Sequence, residues 1–211
     1  MNELPLLVVV TVVGYLLGSI PSGQIVGALF GGIDLSTRGS GKTGMTNALR
    51  TMGWGAAIAV LLGDLAKGAL AVLVARWLFS ASPALSAQPL AEVLAGFAAV
   101  IGHNWSIYIK LKGGRGVVVS AAVFIILCWP AALISAAIAV AAIALSRFVS
   151  LGSLIGAAVG LVLLTAFVVW AHYPAAYLIY GVLAAPLIWL RHLDNIQRLL
   201  AGTERKLGQR A

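Results

Sequence analysis

The sequence predicts an all-α integral membrane protein with seven transmembrane helices, its N-terminus outside and its C-terminus in the cytoplasm. Three observations carry that expectation. The 211 residues are 61% hydrophobic and only 9% charged, and their mean hydropathy is +1.03, more apolar surface than a soluble core of this size can enclose. The apolar residues gather into six stretches, most of them long enough to cross a bilayer, which takes about 20 residues of helix. The Lys and Arg residues fall between those stretches in a pattern that orients them.

The stretches run from Leu4 to Phe30, Trp54 to Phe79, Leu90 to Ile109, Val117 to Ser146, Leu151 to Trp170 and Pro174 to Leu190. The first is preceded by Glu3 and by no Lys or Arg, so it reads as a retained span rather than a cleaved signal. The fourth is long for one helix and short for two, and Trp129-Pro130 interrupts it where a turn fits. Charge decides the count. Seven spans place Arg38, Lys42, Arg50, Lys110, Lys112, Arg115, Arg147 and the tail cations Arg191, Arg198, Arg205, Lys206 and Arg210 inside, leaving only Arg76 outside. Six spans would export Arg147 and the whole basic tail. The loops at 34–53 and 110–116, the turn near Ser150 and the tail then share the cytoplasmic face, while the connections at Ser80 to Pro89 and Ala171 to Pro174 read as plain turns.

The net charge of +8 and pI near 10.2 on so apolar a chain point to inside loops and anionic lipid or substrate, not nucleic acid. The single cysteine, Cys128, rules out an intrachain disulfide and a cysteine-based zinc site, and no metal or cofactor is expected. No repeat or linker divides the chain, so residues 1–211 read as one domain.

The polar chemistry lies in a few segments. In RGSGKTGMTNALR (38–50), Gly39, Gly41 and Gly44 let backbone N–H groups turn toward an anion, Ser40, Thr43 and Thr46 offer hydroxyls, and Lys42 and Arg50 offer charge. A nucleotide P-loop is excluded by spacing, because Ser36 stands where its first glycine is needed. The alternative is an ordinary cytoplasmic loop. In KLKGGRG (110–116), Gly113, Gly114 and Gly116 with Lys112 and Arg115 form a second anion nest, against the alternative of a basic collar under the headgroups. Asp64 and Lys67, one helical turn apart inside the second stretch, form an ion pair that orients the helix or shapes a site, and His103 closes the third stretch beside the second nest. Ser150 is a ligand donor or a helix cap. His192 and Asn195 share a helical face beyond the last span, where a histidine on residue type alone reads as a surface group.

The order of these motifs carries a resemblance. GSIPSG (18–23), GSG..G.TN..R (39–50), GD..KG (63–68), GH (102–103), KGG.GV (112–117), RFVSL (147–151) and RH..NI.RL..G.E (191–204) together resemble the bacterial acyl-phosphate:glycerol-3-phosphate acyltransferases of the PlsY type. Lys42, Met45, Arg115 and Asn104-Trp105 depart from the usual pattern. The resemblance implies transfer of a fatty acyl group from acyl phosphate to the 1-hydroxyl of glycerol 3-phosphate, at the cytoplasmic face of the bacterial inner membrane. It implies catalytic roles for Ser40, Arg50, Lys112, His192 and Asn195, substrate binding by Lys112 with its glycines and by the first loop including Asn47, and a structural role for Glu204. Acyl phosphate, glycerol 3-phosphate and the bilayer are the partners it implies, with the oligomeric state open. A small phosphate transporter and a non-catalytic lipid-binding subunit are the competing classes.

Overall fold

The computed structural model describes residues 3–80 and 85–209, and among them all regular structure is helical. Among the described residues nine α-helices follow in order: α1 Leu4–Ser19, α2 Ser22–Leu29, α3 Met45–Met52, α4 Trp54–Ser80, α5 Gln88–Asn104, α6 Val117–Ser146, α7 Val149–Trp170, α8 Tyr177–Leu190 and α9 Leu193–Leu200. Five segments of the described residues are long and apolar enough to cross a membrane: Leu4–Leu29, Trp54–Ser80, Gln88–Ile109, Val117–Ser146 and Val149–Trp170. Tyr177–Leu190 is apolar but shorter. Leu62, Trp77, Leu145 and Val162 stand exposed on these helices, as side chains facing lipid do. The connection after Ser80 and the tail cation Arg210 fall partly or wholly outside the described residues.

The chain packs as two compact units, one reaching to Val123 and the other Phe124–Gln209. Their boundary falls within α6, which explains why no linker or change of composition marks it.

In the first unit α1 and α5 run side by side in parallel. A Cβ at Gly14 would run into Ala95, one at Gly18 into Ala99 and one at Gly102 into the Tyr15 carbonyl, so small residues let the two backbones close up as they do between helices in lipid. α4 runs antiparallel to α5, fixed by contacts of Asp64 with His103 near one end and Arg76 with Glu92 near the other. The second contact is a pair the sequence reading missed, having recognised only Asp64 and Lys67 within a span: half-exposed Arg76 donates through Nε and Nη2 to the two oxygens of buried Glu92 at 2.8 and 3.2 Å.

Two apolar stretches prove to be interrupted. The first breaks at Ile20-Pro21, where Ile20 takes the extended conformation (φ −53°, ψ 118°) that a following proline imposes. The sequence reading ran straight through this point. The fourth breaks at Cys128 (φ −150°, ψ 79°), beside the expected Trp129-Pro130. The break is sharp. A Cβ at Gly160 of α7 would lie 3.1 Å from Phe124 and 3.7 Å from Ser135, two residues that a straight helix would separate by about 16 Å along its axis. In the second unit α7 returns against the latter half of α6, Gly152 meeting Ile143 and Ala139, and Gly156 meeting Ala139.

Candidate active site

The site of the first unit is built on Asp64. This carboxylate is 1% exposed and accepts from Ser22 Oγ at 2.5 Å, pairs with Lys67 Nζ at 2.8 Å and faces His103 Nδ1 at 3.4 Å. Lys67 Nζ also donates to the Ile20 carbonyl at 2.9 Å, an acceptor released by the break before Pro21. A buried ion pair is tolerable only when further hydrogen bonds satisfy both partners, and here a broken helix supplies two of them. The i, i+3 spacing had revealed Asp64 and Lys67. Ser22 and Ile20 were missed, and the proline inside an apolar run is the signal that would have found them.

Asp64 lies ten residues into α4, about 15 Å along its axis. The end of α1 and the end of α5 reach this level, so non-helical backbone is recessed beside α4 instead of lying at its end. Irregular backbone at such a position belongs where protein buries it or a polar cavity opens.

Both glycine loops meet this network. The first rests on α2, because a Cβ at Gly23 would strike the Thr43 carbonyl. Its shape comes from Asn47: the side-chain nitrogen donates to the carbonyls of Leu35, Arg38 and Lys42 at 2.8–3.1 Å, and the side-chain oxygen accepts from Ser40 N–H at 3.0 Å. Asn47, read as a substrate ligand, has its amide engaged by the loop's own backbone. Gly39 and Gly41 take left-handed conformations (φ 58° and 67°) that favour glycine. Gly44 precedes α3, a helix the sequence reading left inside the loop, and has nothing within 4 Å of where a Cβ would stand. Ser40 is exposed, Lys42, Thr46 and Arg50 are half-buried, and Thr43 is buried.

The second loop is seated on the end of α5. Gly113 packs on the His103 and Asn104 carbonyls, Gly114 on the His103 ring, and Gly116 (φ 80°) on Val100 and the Asn104 side chain. Gly114 N–H donates to the His103 carbonyl at 3.1 Å. Lys110 and Leu111 are non-glycine residues at φ 54° and 58°, a strained approach held by Leu111 N–H donating to the Ser106 carbonyl at 2.8 Å. Lys112 is exposed and Arg115 half-buried. The two loops are neighbours. Hydrogen bonds from Ser36 and Gln24 hold the Asp34 carboxyl of the first loop below the usual carboxylate range, and the charge of Lys112 adds to the effect.

In the second unit, Glu204 gathers the tail. It accepts from Asn195 Nδ2 at 2.7 Å, Arg198 Nε at 2.8 Å and Ser150 Oγ at 2.9 Å. Burial opposes ionisation of this carboxyl, and the three hydrogen bonds outweigh it, so its pKa stands below the ordinary 4.5. Ser150 therefore anchors Glu204. It does not cap α7, whose cap position is Phe148. His192 is 3% exposed, not the surface group its residue type suggested. Its Nδ1 lies 2.7 Å from the Ile188 carbonyl, which only accepts, so Nδ1 carries the proton and Nε2 is the acceptor nitrogen of the neutral ring. Asn195 Oδ1 is buried with no hydrogen-bond partner among the described residues.

Membrane-length helices joined by cation-bearing glycine loops define an integral membrane protein. Comparison with known proteins gives the family: residues 8–202 match the family model described as glycerol-3-phosphate acyltransferase, and the chain belongs to that family. It is 44% identical over 211 residues, 97% of each chain, to "Glycerol-3-phosphate acyltransferase 3" of Dehalococcoides mccartyi (strain CBDB1). It is 45% identical over 199 residues, 94% of this chain and 89% of the other, to "Glycerol-3-phosphate acyltransferase" of Parasynechococcus marenigrum (strain WH8102). The crystal structure of PlsY, an integral membrane glycerol 3-phosphate acyltransferase, in its glycerol 3-phosphate form superposes with a TM-score of 0.83 at 30% identity, covering 96% of both chains. Its lysophosphatidic acid form gives 0.82 at 30% identity, covering 96% of this chain and 95% of the other.

Proposed function

We propose that this chain transfers a fatty acyl group from an acyl phosphate to the 1-hydroxyl of glycerol 3-phosphate, releasing lysophosphatidate and phosphate. The observation that carries the reading is the convergence of both glycine-and-cation loops on the buried Asp64 network, in a chain of this family. Both substrates bear phosphate and one bears an apolar tail, which suits cations carried on glycine loops beside lipid-facing helices.

The donor is a mixed anhydride and already activated, so positioning and charge stabilisation suffice without a covalent intermediate. The hydroxyl oxygen attacks the acyl carbon, the carbon–oxygen bond to phosphate breaks, and phosphate leaves with the electron pair. Arg50 and Lys112 neutralise phosphate charge, and Ser40 or loop N–H groups polarise the acyl carbonyl. Arg50 can grip a phosphate with two parallel hydrogen bonds. Gly39, Gly41, Lys42, Thr43, Gly44 and Thr46 complete the first loop's donor set, with Asn47 fixing its shape, and Gly113, Gly114, Arg115 and Gly116 complete the second. From the second unit, His192 and Asn195 are required for activity and Ser150 and Glu204 support them. The hydroxyl proton goes to a base, for which His192 and the donor's own phosphate are the two candidates.

The topology follows the charge rule: seven crossings, the break at Cys128 separating two of them, the N-terminus outside, and both loops and the tail at the cytoplasmic face of the bacterial inner membrane. Purified protein given acyl phosphate and radiolabelled glycerol 3-phosphate is expected to form labelled lysophosphatidate with release of phosphate. Labelled glycerol 3-phosphate entering liposomes without product would instead mark a transporter. A His192→Ala variant at wild-type rate would assign the proton to the donor phosphate.

A further inference from the structure

Gly114 has no conformational need to be glycine, since its φ lies outside the left-handed region. What it cannot have is a side chain. A Cβ there would overlap His103 Nε2 and stand 2.8 Å from Cε1 and 3.1 Å from Cδ2. The opposite edge of the same ring, Nδ1, faces Asp64 at 3.4 Å. Asp64 is itself immobilised by Ser22 and Lys67. The imidazole is thus a spacer clamped between a fixed carboxylate and the backbone of the second loop, and its width sets how far that loop stands from α4. His103 is 6% exposed.

We propose that His103 is a positioning residue for the acyl transfer. It fixes where the peptide of Gly113 and Gly114, and the neighbouring Lys112, meet a phosphate-bearing substrate, without touching substrate itself. The proposal rests on the functional reading above and adds to it a specific mechanical link from Asp64 through His103 to the loop. It also reassigns Gly114: the glycine is there to accept the histidine, not to bend around an anion.

A size-swap experiment tests the link. Gly114→Ala forces the loop off the ring. His103→Asn keeps a nitrogen near the place of Nδ1 to donate toward Asp64, and vacates the space taken by Nε2 and Cε1. Steady-state kinetics on the purified full-length chain, with each substrate varied in turn, are expected to show Gly114→Ala raising the KM of one phosphate substrate about tenfold or more. Adding His103→Asn should bring that KM back to within about threefold of wild type, because the vacated space takes the methyl group. A double variant no better than Gly114→Ala alone overturns the proposal, as does a Gly114→Ala variant with wild-type KM. If Gly114→Ala is not recovered folded, a folded double variant with near wild-type KM supports the link, and failure of the double variant to fold overturns it. Turnover by the wild-type chain in the same assay tests the functional reading separately, so the two can fail independently.

Discussion

The two glycine loops look alike in sequence and are built on different physics. The first carries its own scaffold: one asparagine side chain makes four hydrogen bonds to the loop's own backbone, and glycines at positive φ turn the chain. The second is held by the body of the protein: Gly113 and Gly114 close down on the end of α5, and the strain is borne by Lys110 and Leu111, which are not glycines. Glycine therefore serves conformation at Gly39 and Gly41 of the first loop and close approach at Gly113 and Gly114 of the second, where Gly116 alone among the glycines also takes a positive φ. Composition cannot distinguish these uses, because both produce the same letters.

The comparison breaks most decisively at the support of the second loop. Asp64→Leu leaves the buried Lys67 ammonium without its carboxylate and removes the seat of His103. A loss of about 3–5 kcal/mol is expected, read as a lowered thermal midpoint in detergent. Asn47→Leu should act more locally. It strips the first loop of its internal bonds at a cost of about 1–3 kcal/mol, so turnover falls about 5- to 150-fold while the thermal midpoint moves less than with Asp64→Leu. Gly41→Ala is smaller again, since forcing alanine to φ 67° costs about 1–2 kcal/mol and leaves Asn47 in place. A first loop indifferent to Asn47→Leu and abolished by Gly41→Ala would reverse the account of how it is built.

The tail supplies the mildest test. The folded Glu204 carboxyl has a pKa below 4.5, so its stabilisation is complete above that pH and is lost as pH falls through the depressed value. Hydrogen exchange across residues 193–206, taken relative to the intrinsic rate at each pH, should speed up on acidification in the wild type. In Glu204→Gln it should be fast already at neutral pH and should lack this acid-dependent step, while the two loops stay unaffected.

Much of this was legible in the sequence, and the gaps have physical causes. Asp64 and Lys67 announce each other through i, i+3 spacing, but Ser22 and His103 reach them from 42 and 39 positions away, beyond any local pattern. Arg76 and Glu92 belong to different helices, so the pair could not be seen from either. The break at Cys128 was readable because Trp129-Pro130 sits in a stretch too long for one span. The break at Pro21 was equally available and was masked by the apolar residues around it. α3 stayed hidden because eight residues of mixed polarity inside a basic loop give too short a period to register. Of the candidate site residues read from the sequence, Asn47 and Ser150 turn out to be engaged with the protein itself.

The segments 38–50 and 110–116 are expected to open on one side of the membrane. With Cys128 replaced by alanine, single cysteines introduced at Arg38 and at Lys110, both exposed, can be challenged with a membrane-impermeant thiol reagent in inverted and right-side-out vesicles. Both positions are predicted to label in inverted vesicles and to be protected in right-side-out ones. Labelling of the two from opposite sides would contradict the account.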